Sequence, residues 1–344
     1  MRMLNLTAPA DLPEGAIVCH DVRNPADRNQ ILVRKGTPLP SEAIADLLER
    51  GVAELHLALP ELDDVDENAA ATRLAQAVGG SGVTSAAATY GQTNLVSRER
   101  GMLRVDTEQL DRVNACDGVL LLTGEADRPV DAGTTLGVVK CAPVFLSETT
   151  LLEVEALVKD AGPIVDIEAF QPRRVGLVAP RERLRGSAFD RAQAALANAL
   201  EWYGSSLTQV VGAEASLEAM AAAYHKVRHA GAELILAAGA AGTDPLDVVF
   251  EALRQAGGEI IQFGIPAEPG TACWIGRLDG VGVLGLASCE LFGQPGALDL
   301  LLPRLLTGTE LDQRLVRGLA YGGLLLGPPR VAPYHLDSAA QPTD

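Results

Sequence analysis

Apolar residues in the second half of the chain come in short runs, separated by longer stretches with helical spacing. Runs at 175–178, 207–211, 234–237, 260–263, 274–277 and 281–286 have the length and β-branched content of buried strands. Between them, 188–203, 216–229 and 245–256 carry apolar positions at helical intervals, and Gly204, Gly231 and Gly257 supply stops. Ser216 is a cap, and Pro245 suits a first helical position with Asp244 before it as N-cap. Asp279-Gly280 is a hairpin turn, and 295–306 closes the pattern as a helix. Strands alternating with helices of about a dozen residues predict an α/β unit with a doubly wound, mostly parallel sheet. Ligands of such sheets bind beyond the carboxyl ends of the strands. Chemistry is therefore expected just after Val178, Ala238, Phe263 and Leu286.

The first half is less regular and reads as mixed α+β, rich in strands. Strands are expected near 16–18, 31–33 and 53–58, with a helix over 41–50 stopped by Gly51. An acidic stretch at 61–67 leads into an Ala-rich helix ending at Gly79-Gly80, and the Gly/Ser/Thr/Ala-rich residues 79–93 read as a loop or flexible joint. Short strands resume over 102–144 and a helix over 148–160. The expected organisation is a small mixed module at 1–60, a helical linker and β-rich module at 61–171, an α/β domain at 172–308 and a tail at 309–344. Within the tail, 315–326 has the makings of a short apolar element.

Charge narrows the partners. With 28 Lys+Arg against 45 Asp+Glu, the net charge of −17 repels phosphate backbones and argues against nucleic-acid binding. The opening residues lack the apolar run of a secretory signal, and no stretch approaches about eighteen apolar residues, so a cytoplasmic protein without a membrane span is expected. Five scattered cysteines, none in CxxC spacing, fit a reducing compartment.

Against that acidic background, Arg181, Arg183 and Arg185 stand out in the loop after the first strand of the α/β half, just before a helix with Asp190 in its first turn. Guanidinium forks and a helix N-terminus both favour a phosphate; the plain alternative is a solvated loop. After the third strand, Gly239, Ala240, Ala241, Gly242 and Thr243 expose backbone, and Asp244 and Asp247 add two carboxylates able to hold a divalent cation such as Mg. The run is neither a dinucleotide fingerprint nor a Walker loop. Pro266 and Gly270 belong to a Pro/Gly loop after the fourth strand, while Ala287, Ser288 and Cys289 follow Gly285 and the last strand. Cys289 has no histidine near it in sequence, and His225 and His229 at i, i+4 lack a third ligand, so both read as non-catalytic.

The order of these loops resembles the molybdopterin-binding domain of molybdopterin adenylyltransferases and molybdotransferases. That family's Gly-Gly-x-Ser-x-Gly-x-x-Asp loop matches Gly239 to Asp247, followed by Gly257-Gly258; its Pro/Gly loop matches Pro266 to Gly270, and its last motif the run from Gly285 to Cys289. Asp190 matches an Asp early in the family's first helix. Pro13-Glu14-Gly15-Ala16, Arg34-Lys35-Gly36-Thr37, the run from Gly101 to Asp106 and Phe263-Gly264-Ile265-Pro266 are similar to a divergent subgroup in which this region is fused to a molybdenum-cofactor nucleotidyltransferase. Departures are clear: Ala240, Gly242 and Asp244 replace a Gly, the Ser and a Gly of the third-strand loop.

The resemblance implies a molybdopterin-binding protein of molybdenum cofactor biosynthesis or delivery. Its ligand would be molybdopterin or a nucleotide derivative, passed to a nucleotidyltransferase or molybdoenzyme. Arg181, Arg183, Arg185, the 239–243 loop, Pro266, Gly270 and the Gly285–Cys289 run would hold it. The competing expectations are an active molybdotransferase or adenylyltransferase using Asp190, Asp244 and Asp247, and an interaction protein without ligand. Self-association into a homo-oligomer is left open.

Overall fold

The computed structural model describes residues 1–9, 15–183, 187–240, 244–286 and 296–325, without the side chains of 183 and 187–189. The chain divides into two compact units, Met1–Glu168 and Ala169–Asp344.

The first unit opens with β1 (Arg2–Leu6) and β2 (Ile17–Val18), both antiparallel to β5 (Leu55–Leu59), and a hairpin of β3 (Val22–Asn24) and β4 (Asp27–Val33). Helix α1 (Ser41–Glu49) buries Ile44 and Leu47 against Val18, Leu55 and Leu57, and Gly51 takes the positive φ of 87° that ends it. A four-stranded antiparallel sheet follows, in the order β10 (Val119–Thr123), β12 (Thr135–Cys141), β8 (Gln92–Ser97), β7 (Val83–Ser85). A three-stranded sheet joins β11 (Arg128–Val130), β9 (Gly101–Val105) and β14 (Val165–Ala169), and β6 (Asp64–Asp66) pairs with β13 (Phe145–Ser147). Helices α2 (Glu67–Val78), α3 (Thr107–Asn114) and α4 (Glu148–Ala161) complete one core around Leu74, Leu95, Leu136, Leu151 and Val165.

The loop or flexible joint expected at 79–93 is built into this unit and carries a short strand. Val83–Ser85 is a strand paired with 95–97, and the Gly80 amide donates to the Val165 carbonyl at 2.8 Å. Glycines are needed here for contact: a Cβ on Gly82 would lie 2.6 Å from Cβ of Ile167.

The second unit is a mixed α/β layer. Its six strands lie in the order β16 (Ser206–Ala213), β15 (Arg174–Pro180), β17 (Leu234–Ala238), β20 (Val281–Leu286), β19 (Trp274–Leu278), β18 (Glu259–Phe263). The sheet is mixed: β16, β15, β17 and β20 run parallel, whereas β19 is antiparallel to both of its neighbours. The opposed strand comes from the Asp279-Gly280 turn, whose residues take φ of 46° and 78° and leave no room for a crossover.

Alternate residues of each strand feed two cores, as a sheet buried on both faces requires. Leu177, Leu236 and Leu284 pack with α5 (Ser187–Trp202), α8 (Ala297–Leu306) and α9 (Gln313–Gly318). Val178, Ile235 and Val283 pack on the other side with α6 (Leu217–His229) and α7 (Val248–Gln255). Each such fully buried aliphatic side chain contributes about 1.5–3 kcal/mol. Ser216 caps α6 as its sequence suggests, accepting from the Ala219 amide at 3.3 Å. Beyond α8, Leu311, Val316 and Leu319 are buried in the first of these cores. Among the described residues, no helix is long and apolar enough to cross a membrane.

Candidate functional site

Register brings the sequence-assigned loops to one edge. Val178 pairs with Ala237, Ala237 with Gly285 and Ala238 with Leu286, so the chain leaves β15, β17 and β20 side by side. Phe263 and Gly285 both pair with Trp274, which puts the end of β18 and the start of β19 on that same edge. Connections diverge between β15 and β17. From β15 the chain turns outward through α5 to β16; from β17 it leaves through α7 on the opposite face toward β18. A crevice is left where neighbouring strands send their connections apart.

Arg181 and Asp190 lie on the connection that leaves β15, in the turn after it and in the first turn of α5. A short 3-10 turn, Arg181–Arg183, separates β15 from α5. Arg181 is exposed, and its Nη2 makes a long 3.4 Å bond to the Gly212 carbonyl at the end of β16. Asp190 is exposed in the first turn of α5. The Arg183 side chain, Arg185, Ala241, Gly242, Thr243, Ala287, Ser288 and Cys289 lie outside the described residues.

On the β17 side, Gly239 has a φ of 90°, a left-handed conformation that only glycine adopts without strain. Ala240 follows it, half-buried against the α6–α7 core. The expected helix start at Pro245 is displaced to Val248, and the N-cap is Asp247 rather than Asp244. Asp244 forms its own turn, its carboxylate accepting from the Leu246 amide at 3.0 Å, which leaves Leu246 77% exposed. Asp247 is buried and accepts from the Val249 amide at 3.0 Å. The physical reason is competition: an Asp side chain that closes a turn two residues on delays the helix. Among the described residues, no group of three or more metal-ligating side chains is found.

Tyr224 was not legible as part of this arrangement. Fully buried on α6, it donates from its hydroxyl to the Val249 carbonyl at 3.2 Å and so braces the first turn of α7. Burial raises its pKa above that of an ordinary tyrosine, and the nearby Asp247 carboxylate adds to the shift. It therefore stays a neutral donor.

The remaining assigned residues differ in surroundings. Gly285 is covered on the α6–α7 face by the indole of Trp274, and a Cβ there would fall 1.8 Å from its Nε1. The Trp274 Nε1 is buried and has no hydrogen-bond partner among the described residues. Pro266 is exposed and Gly270 buried in the loop from β18 to β19. A cavity of about 330 Å³ in this unit lies at the opposite, amino edge, lined by Arg173, Glu233, Arg277 and Leu311 among others, away from these loops.

No family model matches the chain. No curated protein matches it either. Solved structures show a likeness to the molybdopterin biosynthesis MoeA protein from Pyrococcus horikosii, at 15% identity and a TM-score of 0.31, covering 64% of this chain and 68% of that one. A molybdenum cofactor biosynthesis protein from Pyrococcus furiosus is similar at 17% identity and a TM-score of 0.26, over 53% of this chain. The chain spans 55% of that second structure. Likeness at these scores carries no functional conclusion, and the site stands on its own residues.

Proposed function

We propose that the second unit binds molybdopterin, or a nucleotide derivative of it, at the carboxyl edge of its sheet, and serves molybdenum cofactor biosynthesis or delivery in the cytoplasm. The observation that supports this reading is the divergence of the connections between β15 and β17, with Arg181 and the start of α5 following β15 and the Gly239 turn following β17. Phosphate is matched by a guanidinium and a helix N-terminus. The motif resemblance supplies the pterin. Arg183, Arg185, the 241–243 residues and the 287–289 run are assigned to the same pocket by sequence alone.

Binding is favoured over turnover because the carboxylates offered for chemistry already have structural work. Asp244 closes a turn and Asp247 caps α7, so each has an oxygen engaged by a backbone amide. Holding Mg through Asp244 and Asp247, with Asp190 in a catalytic role, belongs to the transferase alternative. A recipient nucleotidyltransferase or molybdoenzyme would then take the bound pterin.

The test is to mix purified protein with molybdopterin, with and without ATP, magnesium and molybdate. Capture of pterin without release of AMP or pyrophosphate is expected. Nucleotide release that disappears in Asp244→Asn would replace the binding role by an enzymatic one.

A further inference from the structure

The 264–271 loop joins β18 to β19 at the ligand edge and contains Pro266 and Gly270. From inside it is held by Ile265 and Ala267, both buried in the core shared with α8. From outside it is held by a segment far along the chain. The Glu268 amide donates to the Gly323 carbonyl at 2.8 Å, and the Leu325 amide donates to the Glu268 carbonyl at 2.8 Å. Glu268 and Leu324 thereby form a parallel bridge.

The segment is itself anchored. Val316 and Leu319 are buried, the Asp312 carboxylate caps α9 at the Leu315 amide at 2.8 Å, and Gln313 Nε2 donates to the Ile261 carbonyl on β18 at 3.1 Å. Gly323 is where segment and loop touch. A Cβ there would stand 2.2 Å from the Pro266 carbonyl oxygen and 2.6 Å from that of Leu319. Both are backbone atoms that cannot rotate aside, and Gly323 is not among the glycines with positive φ, so contact and not conformation demands the glycine.

We infer that residues 319–325 form a strap that sets the shape of the 264–271 loop, with Gly323 as a positioning residue. That this shape matters to a ligand rests on the pterin reading above. The strap lies within the stretch that sequence patterning leaves as a tail, so the ligand-binding unit extends to residue 325.

The experiment compares three full-length proteins: the wild type, Gly323→Ala and Leu325→Pro. Leu325→Pro removes one amide donor without touching a buried side chain. Hydrogen exchange is followed at the Glu268 amide and across the loop, and molybdopterin affinity is measured on the same samples. Exchange at Glu268 is expected to speed up about fivefold or more in both variants while β17 and β20 stay protected, as loss of one hydrogen bond implies. Molybdopterin affinity is expected to fall about fivefold by the same reckoning. Unchanged exchange in both variants overturns the strap. Faster exchange with undiminished affinity overturns the loop's place at the ligand. A wild type that takes up no molybdopterin, while both variants loosen the loop, overturns the pterin reading and supports the strap.

Discussion

At Gly285 the backbone and the Trp274 indole share one volume. The indole also packs edge-on to Phe250, their ring centroids 5.0 Å apart, so a Cβ at Gly285 would press it toward that ring. Gly285→Ala is expected to destabilise the protein by about 1–3 kcal/mol, the range for overpacked cores. Urea unfolding will read this as a lower midpoint at unchanged slope. The two aspartates before α7 should part in the same assay. Asp247→Ala removes a buried cap and is expected to cost about 1–2 kcal/mol. Asp244→Ala alters an exposed turn and is expected to stay within about 0.5 kcal/mol. Equal losses would contradict the shift of the helix start. Sequence alone suggested Asp244, because Asp-Pro is a common way to open a helix. What it does not display is that a side chain closing its own turn leaves the capping to the next carboxylate.

Elements in the second unit were legible because its central strands, β15, β17 and β20, are buried on both faces and read as apolar runs. The antiparallel placement of β19 followed from Asp279-Gly280. Elements held by distant partners were not legible. The small residues at 79–93 look loose in isolation, yet the Gly82 amide donates to Asp166 Oδ1 at 3.2 Å across 84 positions of chain. Gly82→Ala is expected to destabilise the first unit by about 1–3 kcal/mol through its clash with Ile167. The pairing of 323–325 with Glu268 was hidden for the same reason, though 315–326 read as an apolar element.

Cys141 on β12 offers a test by pH. Burial, helped by the Glu67 and Asp66 carboxylates and opposed by Lys35, pushes its thiol from 9.0 up to about 12. Above pH 9 the unfolded thiol loses its proton while the folded one keeps it, so rising pH favours unfolding. This contribution is intact below pH 9 and is lost between 9 and about 12. Stability is expected to decline over that window less steeply in Cys141→Ala. An identical decline in both proteins would contradict a buried, protonated thiol.

For the whole molecule, charge and site pull in opposite directions. A net charge of −17 disfavours anions in general, so a phosphorylated ligand must be taken by a local arrangement. Arg181, the start of α5 and the Gly239 turn are the arrangement proposed for it, at one edge of one unit. The alternation of strands and helices made that edge legible in advance. The direction of the Arg181 guanidinium, toward the Gly212 carbonyl of β16, was not, since a loop's side-chain directions are set by its neighbours. The most direct measurement is equilibrium binding of molybdopterin to the wild type and to Arg181→Ala, with both shown to be folded. The wild type is expected to bind and Arg181→Ala to bind about tenfold or more weakly, as loss of a charged hydrogen bond implies. Folded wild-type protein that retains no pterin, or an Arg181→Ala variant with undiminished affinity, would contradict a phosphate-anchored pterin at this edge.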